Sequence, residues 1–351
     1  MIASGSRIAL LMHDYLVPRA GMPGFGKMGI GLLRYSPNPV VAVLDETTVG
    51  RSLLDVARVD HSAPIVATVA EATALGADVL VIGVATVGGV LPERFRTDIV
   101  QALRAGMSVV NGLHVVLNDD SELVAMLHPG RIIWDVRQEP PGLMPGTGAA
   151  AALPGRRVLT VGTDMAIGKM TASLELDRSA KVLGLRSAFL ASGQIGMCIS
   201  GDGIPLDAVR VDFAAGAVEQ LVARHSATSD LLFVEGQGSI LHPASTAWLS
   251  LIRGSCPTHL VLCHRAGQTR ISRQPVTMPP LREVAALFES VASVAGVQPG
   301  PKVVGVALNC GHLDDDDAAR ALAEAEAECG YPTVDVVRQG ADRLLDAILR
   351  A

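Results

Sequence analysis

The stretch VLTVGTDMAIGKMTASLEL, residues 158–176, decides the fold. A β-branched run, Val158–Gly162, enters a glycine; a second glycine is followed by Lys169, and a helical pattern begins. Strand, glycine-bounded loop and helix N-terminus in that order make a phosphate cradle. Glycines let backbone N–H groups close on phosphate oxygens, the helix dipole adds positive potential, and the lysine neutralises charge. Gly162 and Gly168 enclose one residue more than the usual GxxxxGK[ST] spacing, and Met170 stands where a hydroxyl would hold magnesium. Thr171 follows one position later. The expected nucleotide-binding set is therefore Gly162, Thr163, Asp164, Gly168, Lys169, Met170 and Thr171. The displaced hydroxyl weakens the case for magnesium-dependent phosphoryl transfer more than the case for phosphate binding.

Outward from this loop, short β-branched runs alternate with helical patterns, the signature of an α/β protein with parallel sheets. Expected strands are Ile8–Met12, Val40–Leu44, Val79–Val84, Ser108–Asn111 and Arg131–Val136. A second series is Val158–Gly162, Ser187–Ala191, Leu231–Glu235, His259–Cys263, Lys302–Leu308 and Thr333–Val337. Helices are expected at Pro92–Ala105, Asp119–Leu127, Lys169–Leu183, Ala214–His225, Pro280–Ala295, Asp314–Cys329 and Ala341–Leu349. The runs ADVLVIGV and PVVAVLD are apolar at successive positions, as in strands covered on both faces. Between the two series lies QEPPGLMPGTGAAAALPG, residues 138–155, which has no periodicity and reads as a linker. Two domains follow, residues 1–150 and 151–351. The turn GVATVGG of the first domain is not GxGxxG, so a nicotinamide dinucleotide is not expected there. GMPGFGKMG, residues 21–29, repeats the GKM triplet, but no strand leads directly into it. It is expected to be a flexible loop; the functional alternative is a lid carrying Lys27 to an anion.

Composition excludes several classes. In 351 residues the net charge is -6 and aromatics are 3%, so neither a basic stripe nor a base-stacking platform is present, and no nucleic-acid partner is expected. Hydrophobic residues make up 49%, too many for a disordered chain. The longest apolar stretch, Ala77–Leu91, contains Asp78 and three glycines and is too short to cross a membrane. The N-terminal apolar core is five residues long before His13 and Asp14, a strand rather than a signal peptide. Five cysteines, never spaced as CxxC, fit a reducing, cytoplasmic setting and argue against disulfides or a zinc site. High apolar content with few aromatics leads us to expect a homo-oligomer. Only four lysines occur (Lys27, Lys169, Lys181, Lys302), one of them in the phosphate loop.

The loop resembles that of dethiobiotin synthetase and related amide-forming P-loop enzymes. LLFVEG, ending at Glu235 and Gly236, resembles the strand that sits near metal and substrate there. VVGVALN, ending in Asn309, resembles the strand whose asparagine reads an adenine ring. A narrower resemblance runs through GLLRY (31–35), VIGVATVGG (81–89), NGLHVVLNDD (111–120), WDVR (134–137), SGQIGM (192–197), VDFAAGAVE (211–219), VEGQGSILHP (234–243) and VLCHRAG (261–267). Together with the phosphate loop these segments resemble a bacterial and archaeal family long catalogued as a conserved domain of unknown function. One branch of that family is D-glutamate N-acetyltransferase.

The resemblance implies an N-terminal Rossmann-like domain and a C-terminal P-loop NTPase-like parallel-sheet domain. It implies acetyl-CoA as cosubstrate, its pyrophosphate on the Lys169 loop, and an acidic amino acid such as D-glutamate as the small-molecule acceptor. Acetyl transfer needs a base for the ammonium proton and donors for an oxyanion. Glu235 and His242 are the candidate bases; Gln237, Ser239 and the glycine-rich turn are candidate donors. Arg34, Arg137, Arg178 and Arg265, with His114 at a strand end, are candidates for binding the acceptor. The dethiobiotin-synthetase likeness implies an alternative, ATP- and Mg²⁺-dependent carboxylate activation, with Thr171, Asp164 and Glu235 around the metal.

Overall fold

The computed structural model describes residues 2–17, 26–86, 89–294 and 300–351. The chain forms two compact units: residues 1–138 with 197–205, and residues 139–196 with 206–351.

The first unit comprises β1 (Ile8–Leu11), α1 (Lys27–Tyr35), β2 (Val40–Leu44), α2 (Leu53–Ala57), β3 (Ile65–Val66), α3 (Val69–Ala74), β4 (Val79–Ile82), α4 (Glu93–Arg104), β5 (Ser108–Asn111), α5 (Ser121–Val124) and β6 (Ile133–Asp135). Its strands pair in parallel in the order β3-β2-β1-β4-β5-β6, the Rossmann order. β1 and β4 are buried along their whole lengths, which is why they read as unbroken apolar runs. α4 buries Phe95, Ile99, Ala102 and Leu103, a helical stripe turned to the sheet. β3 is two residues long and had no periodicity to betray it. Lys27 opens α1, so the end of the GMPGFGKMG segment is helical; its residues 21–25 lie outside the described residues.

The second unit comprises β7 (Arg156–Gly162), α6 (Lys169–Val182), β8 (Ser187–Leu190), the start of α7 (Gln194–Ser200), α8 (Val211–Ser226), β9 (Leu231–Val234), α9 (Ala247–Ser255), β10 (His259–Arg265), α10 (Leu281–Val294), β11 (Lys302–Asn309), α11 (Asp315–Cys329), β12 (Thr333–Val334) and α12 (Asp342–Arg350). Again every pairing is parallel, in the order β12-β11-β10-β7-β9-β8. The connections leave β7 first toward β8 and later toward β10, so the carboxyl end of β7 is the switch point where ligands lie in such sheets.

Two expectations change. The Pro/Gly-rich segment is bound from Glu139 onward to the second unit. Glu139 pairs with Arg210 at 2.7 Å, Thr147 Oγ1 donates to Glu219 at 2.8 Å, and a Cβ on Gly216 would stand 1.8 Å from the Met144 carbonyl. The strand expected at Thr333–Val337 stops at Val334. There the Asp335 carboxylate accepts from Val337 N at 3.0 Å and folds the chain into a turn. All five cysteines are buried and unpaired. No helix among the described residues is long and apolar enough to cross a membrane.

Candidate functional site: the phosphate loop and the strand ends beside it

The loop leaves β7 at Gly162 and enters α6 through Gly168, whose φ of 113° is open to glycine and costly for other residues. Ala166 also has a positive φ, 58°. Lys169 is only 6% exposed and its Nζ donates to the Asp164 carbonyl at 2.7 Å, so the ammonium is held inside its own loop. Thr163 Oγ1 lies 2.9 Å from His264 Nδ1 at the end of β10. Asn309 Nδ2, at the end of β11, donates to the Ile167 carbonyl at 3.1 Å. Asp164 Oδ2 accepts from Ser272 N at 2.7 Å and from Gln268 Nε2, while Oδ1 accepts from Met165 N at 2.7 Å. Burial opposes ionisation of Asp164, but these donors outweigh it and hold the carboxyl below its ordinary range.

Glu235 follows β9 and is 6% exposed. Its Oε2 accepts from Ser192 N at 2.9 Å, and Ser192 Oγ donates to the Glu235 carbonyl at 2.7 Å. The SGQIG segment is shaped around this side chain. A Cβ on Gly196 would stand 2.6 Å from Glu235 Oε2, and one on Gly193 would strike the Gln237 amide. Burial pushes the Glu235 carboxyl up to about 7; the Ser192 and Gly193 amides and the Lys169 charge counter it in part. A carboxyl titrating there can take and return a proton near neutrality.

A strand, phosphate loop and helix in this order agree with the family models that match the chain. The P-loop domain of the domain-of-unknown-function family DUF1611 matches residues 144–345, and that family's Rossmann-like N-terminal domain matches residues 46–139. The chain belongs to the DUF1611 family. A crystal structure of a DUF1611 family protein from Anabaena variabilis is 53% identical, covers 99% of this chain and 100% of that one, and superposes with a TM-score of 0.94. Two relatives are named D-glutamate N-acetyltransferase. The one from Tritonibacter scottomollicae is 39% identical over 80% of this chain and 84% of its own. The one from a Pseudoalteromonas species is 34% identical over 79% and 83%.

In this DUF1611 chain several expected site residues make contacts within the chain itself. The His242 ring accepts from Ala244 N at Nδ1 (3.1 Å), which puts its proton on Nε2, 3.3 Å from the Ser272 carbonyl. Both nitrogens are occupied by backbone, so His242 ties the EGQGSILHP turn to the 266–277 loop. Ser239 is fully buried and its Oγ accepts from Leu241 N at 3.1 Å. The Gln237 amide donates to the Ser192 carbonyl. Asn309 spends its amide on the loop backbone, and its Oδ1 accepts from Gly311 N at 3.1 Å. Met170 and Thr171 are half-exposed on the first turn of α6. Arg178 is exposed further along α6, 3.9 Å from Glu175. Arg265 is exposed at the end of β10.

Arg34, His114 and Arg137 belong to the first unit. Arg137 Nη1 lies 2.7 Å from His114 Nε2 and its Nε donates to the Gly112 carbonyl at 2.7 Å, so these two meet at the ends of β5 and β6. Arg34 is not with them: it reaches the Arg58 carbonyl at 3.4 Å. Sequence reading passed over His264, whose ring burial pushes down to about 4, leaving it neutral against Thr163. Its signal was its place at the end of a strand beside the loop strand. It also passed over Gln268 and Ser272, whose role depends on a contact across more than a hundred residues of chain.

Proposed function

We propose that the protein is an N-acetyltransferase that moves the acetyl group of acetyl-CoA to the amine of D-glutamate. The observation that carries this reading is the name shared by the two D-glutamate N-acetyltransferases, whose similarity spans both domains of this chain. The site supports it. The loop from Gly162 to Lys169 offers a cation and helix-terminal amides to a pyrophosphate that need not be hydrolysed, so a methionine in the magnesium-hydroxyl place does no harm.

In this reading Glu235 takes the proton of the acceptor's ammonium group. The free amine attacks the thioester carbonyl carbon, the C–S bond breaks, and the CoA thiolate leaves, taking up as thiol the second proton that the nitrogen sheds on becoming an amide. Glu235, with its carboxyl near 7, suits that transfer. The buried free cysteines fit a reducing cytoplasm, and a homo-oligomer remains our expectation. The names of the relatives lend nothing to the ATP- and Mg²⁺-dependent alternative, and Asp164, its expected metal neighbour, is taken up by three donors.

The test is thiol release from acetyl-CoA with a panel of D- and L-amino acids. Release with D-glutamate above all others is expected. No release above background with any amine would overturn the proposal, and Mg²⁺-dependent ADP release with a carboxylate would favour the alternative.

A further inference from the structure

Three arginines without acidic partners among the described residues converge beside the phosphate loop. Arg265 ends β10. Arg270 and Arg273 sit on a hairpin closed by the Arg270–Thr277 bridge and by Ile271 N donating to the Val276 carbonyl at 3.0 Å. With Gln268, Ser272 and His312 they line an open groove of about 560 Å³. All three arginine side chains are exposed, and none has a carboxylate partner among the described residues. This differs from the pairing of Arg186 with Asp230 or of Arg343 with Glu326 elsewhere in the same unit. Buried Ile271 roots the hairpin, and Arg273 holds a φ of 61°, a conformation disfavoured in a non-glycine residue. The Arg265 charge adds to burial in holding the His312 ring below its ordinary value, so the groove carries a positive field.

The groove is fastened to the phosphate loop. Ser272 N and Gln268 Nε2 both donate to Asp164 Oδ2, so two of its lining residues touch the loop. It opens at the ends of β10 and β11, on one side of β7. Glu235, where an acceptor amine must arrive, follows β9 on the other side. A cation cluster on the far side from the base is poorly placed for the acceptor's carboxylates. It is well placed for a second anionic group on the ligand whose pyrophosphate the loop holds. CoA carries one that ATP lacks, the phosphomonoester on its ribose 3′ oxygen. Guanidinium groups, planar and always charged, suit a phosphomonoester dianion.

We propose that the groove lined by Arg265, Arg270 and Arg273 binds the 3′-phosphate of CoA. This rests on acetyl-CoA being the donor. The test compares CoA with dephospho-CoA, which differs only in that phosphate, by calorimetric titration of the full chain. CoA should bind about tenfold or more tightly, the worth of one charge-assisted hydrogen bond. In the Arg270→Ala/Arg273→Ala double variant that preference should vanish, with dephospho-CoA affinity kept within about twofold and the far-ultraviolet spectrum unchanged, since both side chains are exposed and unpaired. Equal wild-type affinity for the two ligands overturns the proposal. So does a variant that weakens both equally, or one that keeps the preference and instead raises KM for D-glutamate. Binding of neither ligand would overturn the donor assignment itself, an outcome distinct from binding without discrimination.

Discussion

The tripeptide Gly-Lys-Met opens a helix in each unit, in each case the first helix after the first strand of a parallel sheet. Gly26-Lys27-Met28 leads into α1, and Gly168-Lys169-Met170 into α6. The burial of the two copies is reversed. In α1 Met28 is fully buried and Lys27 reaches the surface, although neighbouring atoms desolvate its ammonium enough to lower its pKa; Met12 fills the space beside Gly29, where a Cβ would stand 2.1 Å from its sulfur. In α6 Lys169 is buried and Met170 half-exposed. The backbone supplies the reason. Gly26 has an ordinary φ of -85°, whereas Gly168, at 113°, turns the chain so that the lysine points into the loop, where the Asp164 carbonyl accepts from it. A buried ammonium without acceptors would be costly, and α1 shows the alternative: methionine in, lysine out. The same three letters make a packed helix start in one unit and a phosphate cradle in the other.

Substitutions can break or sharpen this contrast. The largest effect belongs to Glu235, the charged group next to the second copy. Glu235→Gln should lower kcat/KM by about 10²–10⁴-fold in the thiol-release assay. In the wild type kcat/KM should fall as pH drops through about 7, because only the carboxylate accepts a proton, and the variant should lack that limb. The sign for stability is opposite. The folded-state value lies above the ordinary 4.5, so the stability Glu235 contributes is complete below 4.5 and lost as pH rises through about 7. Thermal melts should therefore favour Glu235→Gln over the wild type at pH 8 and not at pH 4.

Next comes the first copy. Met28→Ala empties a fully buried site and should cost about 2–5 kcal/mol in denaturant titration. Lys169→Met keeps the bulk and removes the charge; kcat/KM for acetyl-CoA should drop about 10–100-fold, mostly through KM. Smallest are Met170→Ala, within about 1 kcal/mol in stability, and Lys27→Met, within about twofold in activity. A loss for Lys27→Met equal to that for Lys169→Met would end the contrast.

Much of this was legible in the residues. β7, its loop and α6 announce themselves by composition alone, because a strand, two glycines and a lysine have few other arrangements. Glu235 was legible as a carboxylate ending an apolar strand. The surroundings of His242 were not: its type suggested a base, and nothing in the chain announced that Ala244 N and the Ser272 carbonyl would meet its two ring nitrogens. Asn309 likewise donates to the Ile167 carbonyl, a contact its place at a strand end did not announce. The 266–277 hairpin carried no periodic pattern, so nothing in the chain marked Arg270 and Arg273 as neighbours of Asp164.

The sequence by itself determined two parallel α/β units and a phosphate loop, because periodicity and glycine spacing are local properties that survive without neighbours. Tertiary structure alone decided which copy of the triplet buries its lysine, which carboxylate is pushed toward neutrality, and which arginines line one groove. Burial, hydrogen-bond partners and charge fields come from residues far apart in the chain, and only packing brings them within reach.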